Sequence, residues 1–386
     1  MTENSERLLL AMTVYNGREF VPDALASARR LTCAGIDIDV LVLDDASPDV
    51  EWSRDLCRLC EEAGAGYYRT PRNLGITRNV NLGLLQAVRG GYDYVVISNS
   101  DVLFPQDLIE QLLAAQRSDP KIGSVTAWSN NVSIYSLPNA DPDANLRDQE
   151  VVDWLGRSLG HEYSGTAIDV PVGVSFCVLV RTEVVNEVGL MDPVFGRGYC
   201  EETDWTLRSL AYGYRVTLAP AAFVYHRGRG STVEAGMVQG NQTTVACNEA
   251  IIDHRYPLFR GQVQAFIDGG ILDELHAWAL RRVVSDAGKE FGYVVEVAWV
   301  AGLAPDAAVR VVIRPDPTEP MIQATYRGFT CELAAGHDVA DTIRQFFGGT
   351  EPRAVVLSDR GPAVTRLADA FDVPTAARHP RYPTKV

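Results

Sequence analysis

The sequence predicts an α/β fold: a Rossmann-like, mostly parallel sheet flanked by helices, with a smaller α/β extension at the C-terminus. Over the first half of the chain, apolar runs with the length of buried strands alternate with stretches of helical periodicity. This alternation is typical of parallel strands joined by right-handed helical crossovers. The chain also has 386 residues, more than one hydrophobic core usually supports, which indicates a second, smaller domain.

The apolar pattern places the strands and helices of the first domain one after another. The predicted strands are residues 8–14, 39–43, 66–69, 94–97, 122–128 and 171–180. The predicted helices are residues 21–31, 52–63, 105–116 and 184–189, with one more that ends near residue 88 and one that starts near residue 201. Residues 129–165, rich in Asn, Asp, Ser and Pro, are predicted to form a mobile loop over the site, because long loops in compact domains are usually functional.

Residues 1–240 are predicted to form the first domain and residues 241–386 the second. Residues 247–284 show mainly helical patterns, and residues 292–371 contain the strands and helices of a small α/β unit. No motif in the second domain indicates its role. Acceptor recognition, formation of a homodimer and simple stabilisation are all open for it.

The composition excludes several classes of function. A net charge of −15 argues against a nucleic-acid or anionic-membrane surface, since both require a basic face. Seven cysteines without the spacing of a metal site fit reduced thiols in a cytoplasmic protein. The N-terminus lacks the layout of a signal peptide and no apolar run reaches about 18 residues, so we expect a soluble protein without a transmembrane segment.

Polar residues follow three of the predicted strands at the point where each strand ends. Asn16 follows the first strand, Asp44 the second, and residues 99–101 (Asn-Ser-Asp) the fourth. Because ligands of open α/β sheets bind at the carboxyl ends of the strands, these groups are placed to hold a hard cation and, through it, a phosphate. The alternative for the third run is structural: its serine or aspartate caps the helix predicted at residues 105–116.

The turn after the first strand excludes two common nucleotide-binding classes. A dinucleotide-binding dehydrogenase would carry Gly-x-Gly-x-x-Gly there, and a sugar nucleotidyltransferase would carry a glycine-rich basic loop. Residues 13–17 instead read Thr-Val-Tyr-Asn-Gly, and the chain has no P-loop. The phosphate chemistry expected at this edge therefore belongs to another class.

Five motifs in one order resemble the family 2 glycosyltransferases of the GT-A fold, among them bacterial sugar and rhamnosyl transferases. The motifs are Thr-Val-Tyr-Asn at 13–16, Leu-Asp-Asp-Ala-Ser at 43–47, Asn-Leu-Gly at 73–75 and again at 81–83, Asn-Ser-Asp at 99–101, and an acidic stretch at 195–208 that is followed by Val-Tyr-His at 224–226. The resemblance covers about residues 7–232. It implies the GT-A fold and transfer of a sugar from a nucleoside-diphosphate sugar to the hydroxyl of a small-molecule or glycan acceptor.

The resemblance implies a donor site along the edge of the sheet, with these residues: Thr13, Tyr15, Asn16, Asp44, Asn73, Arg78, Asn99, Ser100 and Gly173. Asp44 is suited to accept the imide N–H of a uracil or thymine ring, which favours UDP or dTDP, and its alternative role is an Asx-turn cap. Arg78 is suited to the diphosphate, although the residue alone favours a solvated surface arginine. Gly173 would let the chain pass close to the donor sugar.

The resemblance also implies a divalent metal, Mn²⁺ or Mg²⁺. Asn99 stands where the family often has the first acid of Asp-x-Asp, so Asp101 would be the main protein ligand. His226 would be a second ligand of the metal or the diphosphate, with a satisfied residue at the end of a strand as the alternative. The missing acid weakens such a site electrostatically, so the metal is expected to arrive with the donor diphosphate.

Three acids, Glu201, Glu202 and Asp204, occupy the start of a predicted helix. Acids in a first turn favour the helix dipole, so the cluster also has a purely structural explanation. By match to the family motif, Glu202 takes the place of the catalytic base and Asp204 that of a supporting acid. Aspartate is usual at the first of these positions, so the identity of the base is open between the two.

Two classes of function follow. The first is an inverting glycosyltransferase of the hexosyltransferase type, EC 2.4, in which a carboxylate removes the acceptor proton during a single displacement. The second is a non-catalytic nucleotide-sugar-binding or scaffold protein on the same fold, for which the missing acid of Asp-x-Asp is the supporting sign. Donor hydrolysis or transfer with added Mn²⁺ or Mg²⁺ would separate the two.

Overall fold

The computed structural model describes residues 5–139, 146–228, 238–239, 242–243, 245–297, 309–314, 320–334, 338–357, 362–371, 373 and 375–377. They divide into two compact units. The first contains the described residues of Met1–Leu137 and Leu146–Leu272, and the second contains those of Pro138–Asn145 and Asp273–Val386. The domain boundary predicted after residue 240 falls on positions outside the described residues.

Nine strands form the main sheet in the part of the chain that the structure describes. They are β1 (Glu6–Val14), β2 (Ile36–Asp44), β3 (Gly66–Arg69), β4 (Tyr94–Ser98), β5 (Val102–Leu103), β6 (Ile122–Ser129), β7 (Ile168–Asp169), β8 (Cys177–Arg181) and β9 (Arg215–His226). Their order is β3-β2-β1-β4-β8-β6-β9-β5, with β7 beside β9. Strands β3, β2, β1, β4, β6 and β9 run in one direction, and β5, β7 and β8 run in the other.

Helices cover both faces of this sheet. They are α1 (Val21–Ala28), α2 (Val50–Ala63), α3 (Ile76–Gly90), α4 (Leu108–Arg117), α5 (Gln149–Tyr163), α6 (Thr182–Val188), α7 (Glu201–Ala211), α8 (Val245–Arg255) and α9 (Phe259–Asp268), with a 3₁₀ turn at Pro193–Phe195. Successive side chains of a strand point to opposite faces, so Leu8 and Leu10 of β1 join the core under α1, α2 and α4, while Leu9 and Ala11 join the core under α3, α6 and α7. The predicted fold class is confirmed.

The prediction of a mobile loop at residues 129–165 is wrong for its described part. Gln149–Tyr163 is a helix whose N-cap, Asp148, accepts a hydrogen bond from the main-chain N–H of Glu150. Before it, Tyr135 is fully buried, and its hydroxyl donates to the carbonyl oxygen of Val172 at 2.6 Å. Residues 140–145 lie outside the described residues. The strand predicted at residues 171–180 is also shorter, and begins only at Cys177.

The second unit contains a six-stranded sheet among its described residues. Its strands are β12 (Tyr293–Val297), β13 (Val309–Arg314), β14 (Met321–Tyr326), β15 (Phe329–Leu333), β16 (Ala354–Leu357) and β17 (Thr375–Ala377). Its helices are α10 (Ile271–Phe291), which starts two residues before the unit does, α11 (Val339–Phe346) and α12 (Pro362–Asp369). A short ribbon of β10 (Val238–Gln239) and β11 (Gln242–Thr243) precedes α8. The predicted smaller C-terminal α/β unit is thus confirmed.

Candidate active site

The ends of the parallel strands meet at one edge of the main sheet. In the register of β1, Val14 pairs with Asp44 of β2, and Met12 pairs with Ser98 of β4. The reversed strand β5 then places Val102 opposite the last residue of β9, His226. This edge therefore collects the polar groups that follow β1, β2 and β4, together with one histidine.

Asp101, His226 and Asn99 form a polar cluster at this edge. Asp101 Oδ1 lies 3.2 Å from His226 Nε2, and Asn99 Nδ2 lies 3.3 Å from the same nitrogen. The other ring nitrogen, Nδ1, lies 2.7 Å from the carbonyl oxygen of Asn131. Burial disfavours the charged imidazolium, but the hydrogen bond and the charge of Asp101 outweigh it and raise the pKa of His226 above its ordinary value.

The cluster fits a divalent cation. Because a carbonyl oxygen only accepts, His226 Nδ1 donates its proton to Asn131. A cation that displaces the Nε2 proton shared with Asp101 would leave Nε2 and the carboxylate as two acceptors facing each other. Two acceptors 3.2 Å apart favour a cation that binds both, and neighbouring ligands of octahedral Mg²⁺ are about 3 Å apart. Across the described ranges, no group of three or more His, Cys, Asp or Glu side chains is arranged for a metal, so further ligands would come from a bound phosphate and water.

Asp44 is engaged inside the protein. It is fully buried, and its Oδ1 accepts the main-chain N–H of Ser47 at 2.8 Å, while Oδ2 accepts the hydroxyls of Ser53 and Tyr67, each at 2.8 Å. Asp44 thus performs the structural capping that was the alternative to base recognition. Its contact to a nucleotide base stays a prediction, and that contact requires the carboxylate to give up one of these partners.

Asp45, to which the sequence motifs gave no separate role, holds the first Asn-Leu-Gly loop. Its carboxylate accepts the main-chain N–H groups of Leu74 at 2.8 Å and Gly75 at 2.9 Å, and Asn73 Oδ1 accepts the latter as well at 3.1 Å. Gly75 has a φ of +81°, and a Cβ there would lie 2.6 Å from the carbonyl oxygen of Gly196. The loop before α3 therefore contacts the turn that leads to α7.

The other predicted donor residues also lie along this edge. Asn16, with φ of +60°, donates its main-chain N–H to Ser47 Oγ at 2.8 Å, and Thr13 Oγ1 lies 3.3 Å from the carbonyl oxygen of Ser98. The end of β1 and the turn after it are therefore held by hydrogen bonds between a main-chain group and a side chain. Of the remaining predicted donor residues, Ser100 is buried, Tyr15 is half-buried and Arg78 is exposed.

Asp204, in the first turn of α7, is fully buried and has several partners. Its Oδ1 accepts Arg255 Nη1 at 2.7 Å and the hydroxyl of Tyr256 at 2.9 Å, and its Oδ2 accepts Arg208 Nε at 2.9 Å. Burial and the hydrogen bond to Asp204 raise the pKa of Tyr256 to about 12. Asp204 therefore ties α7 to the end of α8.

Glu201 and Glu202 have the opposite surroundings. The Oε2 atom of each is enclosed and has no hydrogen-bond partner among the described residues. Burial raises the pKa of Glu202, and burial together with the charge of Glu202 raises the pKa of Glu201 well above its ordinary value. A carboxylate with a raised pKa and an oxygen without a partner is a better proton acceptor than an ordinary one.

Glu202 lines a cleft of about 550 Å³ in the first unit. Gly173, which also lines it, donates its main-chain N–H to Thr206 Oγ1 at 3.3 Å. From Val174 in the cleft wall the chain advances two residues, at most about 7 Å, to Phe176, whose ring packs on His226 with centroids 5.4 Å apart. The wall of the cleft and the contact to the polar cluster are therefore two residues apart along the chain.

The turn into α7 has a strained backbone and is held from α8. Tyr199 and Cys200 have φ of +69° and +74°, which residues with a side chain rarely adopt. Asn248 of α8 is buried, and its Nδ2 donates to the carbonyl oxygens of Phe195, Gly198 and Tyr199 at 3.0, 2.8 and 3.0 Å. Two N–H bonds shared among three carbonyls fix the turn and, through it, the start of α7.

The structure thus brings the predicted residues Asn99, Asp101 and His226 into one cluster. It distinguishes Glu202 from Asp204, because of the three acids of α7 only Glu202 both lines the cleft and has an oxygen without a hydrogen-bond partner among the described residues. The sequence analysis missed three residues that contact the turn into α7 or Asp204, because no motif marks them. They are Asn248 and Arg255 of α8 and Tyr256, which follows it. Asp45 could have been found as the second acid of the Asp-Asp pair after β2.

A mixed α/β sheet flanked by helices, with polar groups at the strand ends and a cleft lined by a carboxylate, is the arrangement that the resemblance to GT-A glycosyltransferases predicts. The chain carries a Glycosyl transferase family 2 domain, since the sequence profile of that family matches residues 10–189. It is a glycosyltransferase of class EC 2.4. The matched residues end before α7, so Glu202, the turn into α7 and all of α8 lie beyond them.

Similarity to individual proteins is distant. An undecaprenyl-phosphate mannosyltransferase of Micrococcus luteus is 25% identical over 234 residues, which is 60% of this chain and 89% of that protein. Mannosyltransferase PcManGT from Pyrobaculum calidifontis, solved with GDP-Man and Mn²⁺, is 15% identical, with a TM-score of 0.43 over 73% of this chain and 75% of that one. GalNAc-T7, solved with UDP, GalNAc and Mn²⁺, is 11% identical, with a TM-score of 0.49 over 86% and 68%.

No helix among the described residues combines the length and the apolar character that crossing a bilayer requires.

Proposed function

We propose that the protein is an inverting glycosyltransferase that moves a sugar from a nucleoside-diphosphate sugar to an acceptor hydroxyl, with Glu202 as the general base. The contrast between Glu202 and Asp204, both in the first turn of α7, carries this proposal. Asp204 has three hydrogen-bond partners on its two oxygens, whereas Glu202 Oε2 has none among the described residues and the side chain lines the cleft. Of the two acids, Glu202 is the one with an oxygen that no hydrogen bond of the described residues already occupies.

The chain's residues support a single displacement. Glu202 accepts the proton of the acceptor hydroxyl while that oxygen attacks the anomeric carbon, and the nucleoside diphosphate leaves from the opposite face, which inverts the centre. Asp101, His226 and Asn99 would hold Mn²⁺ or Mg²⁺, which would supply positive charge to the leaving diphosphate. Main-chain groups of the Thr13–Asn16 turn and the loop at Asn73 would position the donor.

The proposed nucleotide is UDP or dTDP, on the strength of the carboxylate at the end of β2. In this structure Asp44 Oδ1 accepts the main-chain N–H of Ser47. In the donor complex, the imide N–H of the pyrimidine would replace one of the hydrogen-bond donors of the Asp44 carboxylate. Calorimetric titration with UDP, dTDP and GDP tests this proposal. Tighter binding of GDP than of either pyrimidine nucleotide would refute it.

Replacement of the base tests the mechanism. Glu202→Gln keeps the shape of the side chain but cannot accept a proton, so turnover should fall by about 10²- to 10⁴-fold while donor affinity stays near its original value. The donor is first identified by a thermal-shift screen of nucleotide sugars with Mn²⁺, and turnover is then measured as release of the nucleoside diphosphate.

Glu62→Gln is the control for the loss of a carboxylate, because Glu62 is exposed on α2 and does not line the cleft. The control should keep nearly full activity. Equal losses in the two variants, or more than about a tenth of wild-type turnover in Glu202→Gln, would remove Glu202 from the chemistry. Donor binding by the wild type without any hydrolysis or transfer would instead favour the non-catalytic alternative, which the asparagine at Asn99 supports.

A further inference from the structure

The cleft beside Glu202 has an apolar wall, which bears on the kind of acceptor that it takes. Besides the acid, it is lined by Val172 and Val174 before β8 and by Ile252 of α8. Two further apolar residues, Phe259 and Val263, line it from α9. A molecule bound here with its hydroxyl at Glu202 would therefore place its neighbouring atoms on hydrocarbon.

The apolar surface continues along α9 beyond the cleft. Phe259, Val263 and Ile267 are spaced by four residues, which puts them on one face of the helix over about 12 Å. No residue of α9 is buried, and Ile267 is 44% exposed. An apolar face that does not pack on the protein's own core is free to contact an apolar group of a ligand.

The charges in the cleft disfavour a phosphate as the attacking group. Two acids, Glu202 and Glu249, line the cleft. Arg260 is the only cation among its described lining residues, and it is engaged with Asp253, with Nε–Oδ1 and Nη2–Oδ2 distances of 2.5 and 3.1 Å. A phosphate would meet two carboxylates and no unpaired cation, whereas a neutral hydroxyl can donate to a carboxylate.

We propose that the acceptor is a neutral, amphiphilic alcohol or glycoside whose alkyl, prenyl or aryl portion lies on the face of α9 formed by Phe259, Val263 and Ile267. This proposal deepens the proposed function, since it takes Glu202 to be the base at the attacking hydroxyl. It differs from the acceptor in the name of the Micrococcus luteus relative, which is a lipid phosphate. The specificity surface comes from a helix outside the family-matched residues.

Binding of small probes tests the proposal without turnover. Octyl glucoside, methyl glucoside and octyl phosphate are titrated into the full chain by calorimetry, with the octyl compounds below their micelle concentrations. Burial of several CH₂ groups predicts that octyl glucoside binds at least tenfold more tightly than methyl glucoside. Octyl phosphate should bind more weakly than octyl glucoside.

Variants of α9 locate the bound chain. Val263→Asp should reduce the octyl glucoside affinity at least tenfold, toward that of methyl glucoside. Ala265→Asp, which adds the same charge to the opposite, exposed face of the helix, should leave both affinities within twofold of wild type.

Three results would overturn the proposal: no binding of octyl glucoside or equal binding of the two glucosides, tighter binding of octyl phosphate, or equal effects of the two aspartate variants. Because none of these measurements involves the donor, they are independent of the Glu202→Gln turnover test. If the turnover test shows that Glu202 is not the base, but octyl glucoside still binds more tightly than methyl glucoside, the proposed mechanism is refuted. The proposed apolar surface would then still stand.

Discussion

Glu201 is a buried acid beside the proposed base, and its ionisation should cost stability. Its pKa is higher in the folded chain than in the unfolded chain. At a pH between these two pKa values, the folded chain therefore binds more protons than the unfolded chain. The free energy of unfolding then falls as the pH rises through this window. Glu201→Gln removes the charge. We expect its melting temperature to exceed that of the wild type at pH 8, and the difference to shrink as the pH falls toward 4.5, the ordinary value.

Glu62→Gln, at an exposed position of α2, serves as the control for Glu201→Gln and should show no such pH-dependent difference. Thermal unfolding of the three proteins between pH 5 and 8 checks the sign. A difference of constant size across this range would show that the buried carboxylate does not ionise with a cost.

Asp101 gives a second test at the scale of single residues. Asp101→Asn keeps the shape and the polar contact to His226 but removes the negative charge that a divalent ion requires. We expect the gain in donor affinity that Mn²⁺ confers to fall at least tenfold, with little change in the affinity measured in EDTA. Asp37→Asn, at an exposed position near the other end of β2, should behave as the wild type.

Calorimetric titration of the donor, with Mn²⁺ and in EDTA, measures both donor affinities for the Asp101 and Asp37 variants. An unchanged metal dependence in Asp101→Asn would remove this aspartate from the metal site. A loss of equal size with and without the metal would assign it a structural role instead.

At the scale of elements, α8 is expected to position the base. Asn248→Asp keeps the size of the side chain but turns an acceptor toward three carbonyl oxygens, so the turn at Tyr199 and Cys200 should relax and displace Glu202. A displacement of about 1 Å can cost about 10²-fold in rate. We expect turnover to fall 10- to 100-fold, with donor affinity within twofold of wild type and a shifted pH profile of kcat.

A purely structural role of Asn248 would predict a different outcome, in which donor affinity and melting temperature fall while the pH profile of the remaining activity is unchanged. Asn186→Asp, at an exposed position of α6, is the control for the added charge and should retain full activity. The comparison separates positioning of the base from general stability.

The elements themselves could mostly be predicted from the sequence, because strands and helices follow from local periodicity. The helix Gln149–Tyr163 was missed although Val151, Val152, Trp154 and Leu155 repeat at helical spacing. The polar, proline-containing residues before it dominated the composition of the segment and suggested a loop. Composition averaged over 37 residues, 129–165, hid a pattern that a shorter window shows.

At the scale of the whole molecule, the sequence predicted which residue types reach the edge of the sheet, since strand order and polar strand ends are local signals. It could not predict which carboxylates are engaged. The partners of Asp204 come from Arg255 and Tyr256, 51 and 52 residues away, and Asp44 is bonded by Tyr67, 23 residues away. The pKa and availability of an acid depend on such distant groups, which only the folded chain brings together.

The reversed strand β8 has a consequence for the timing of motions around the site. Because β8 runs against β4 and β6, the chain enters it at the edge where these two strands end, and residues 173–176 lead directly into a strand that is hydrogen-bonded on both sides. The segment 173–176 is therefore anchored at its end to the middle of the sheet, where openings are rare events close to global unfolding. Amide protons of Cys177–Arg181 should thus be among the slowest to exchange.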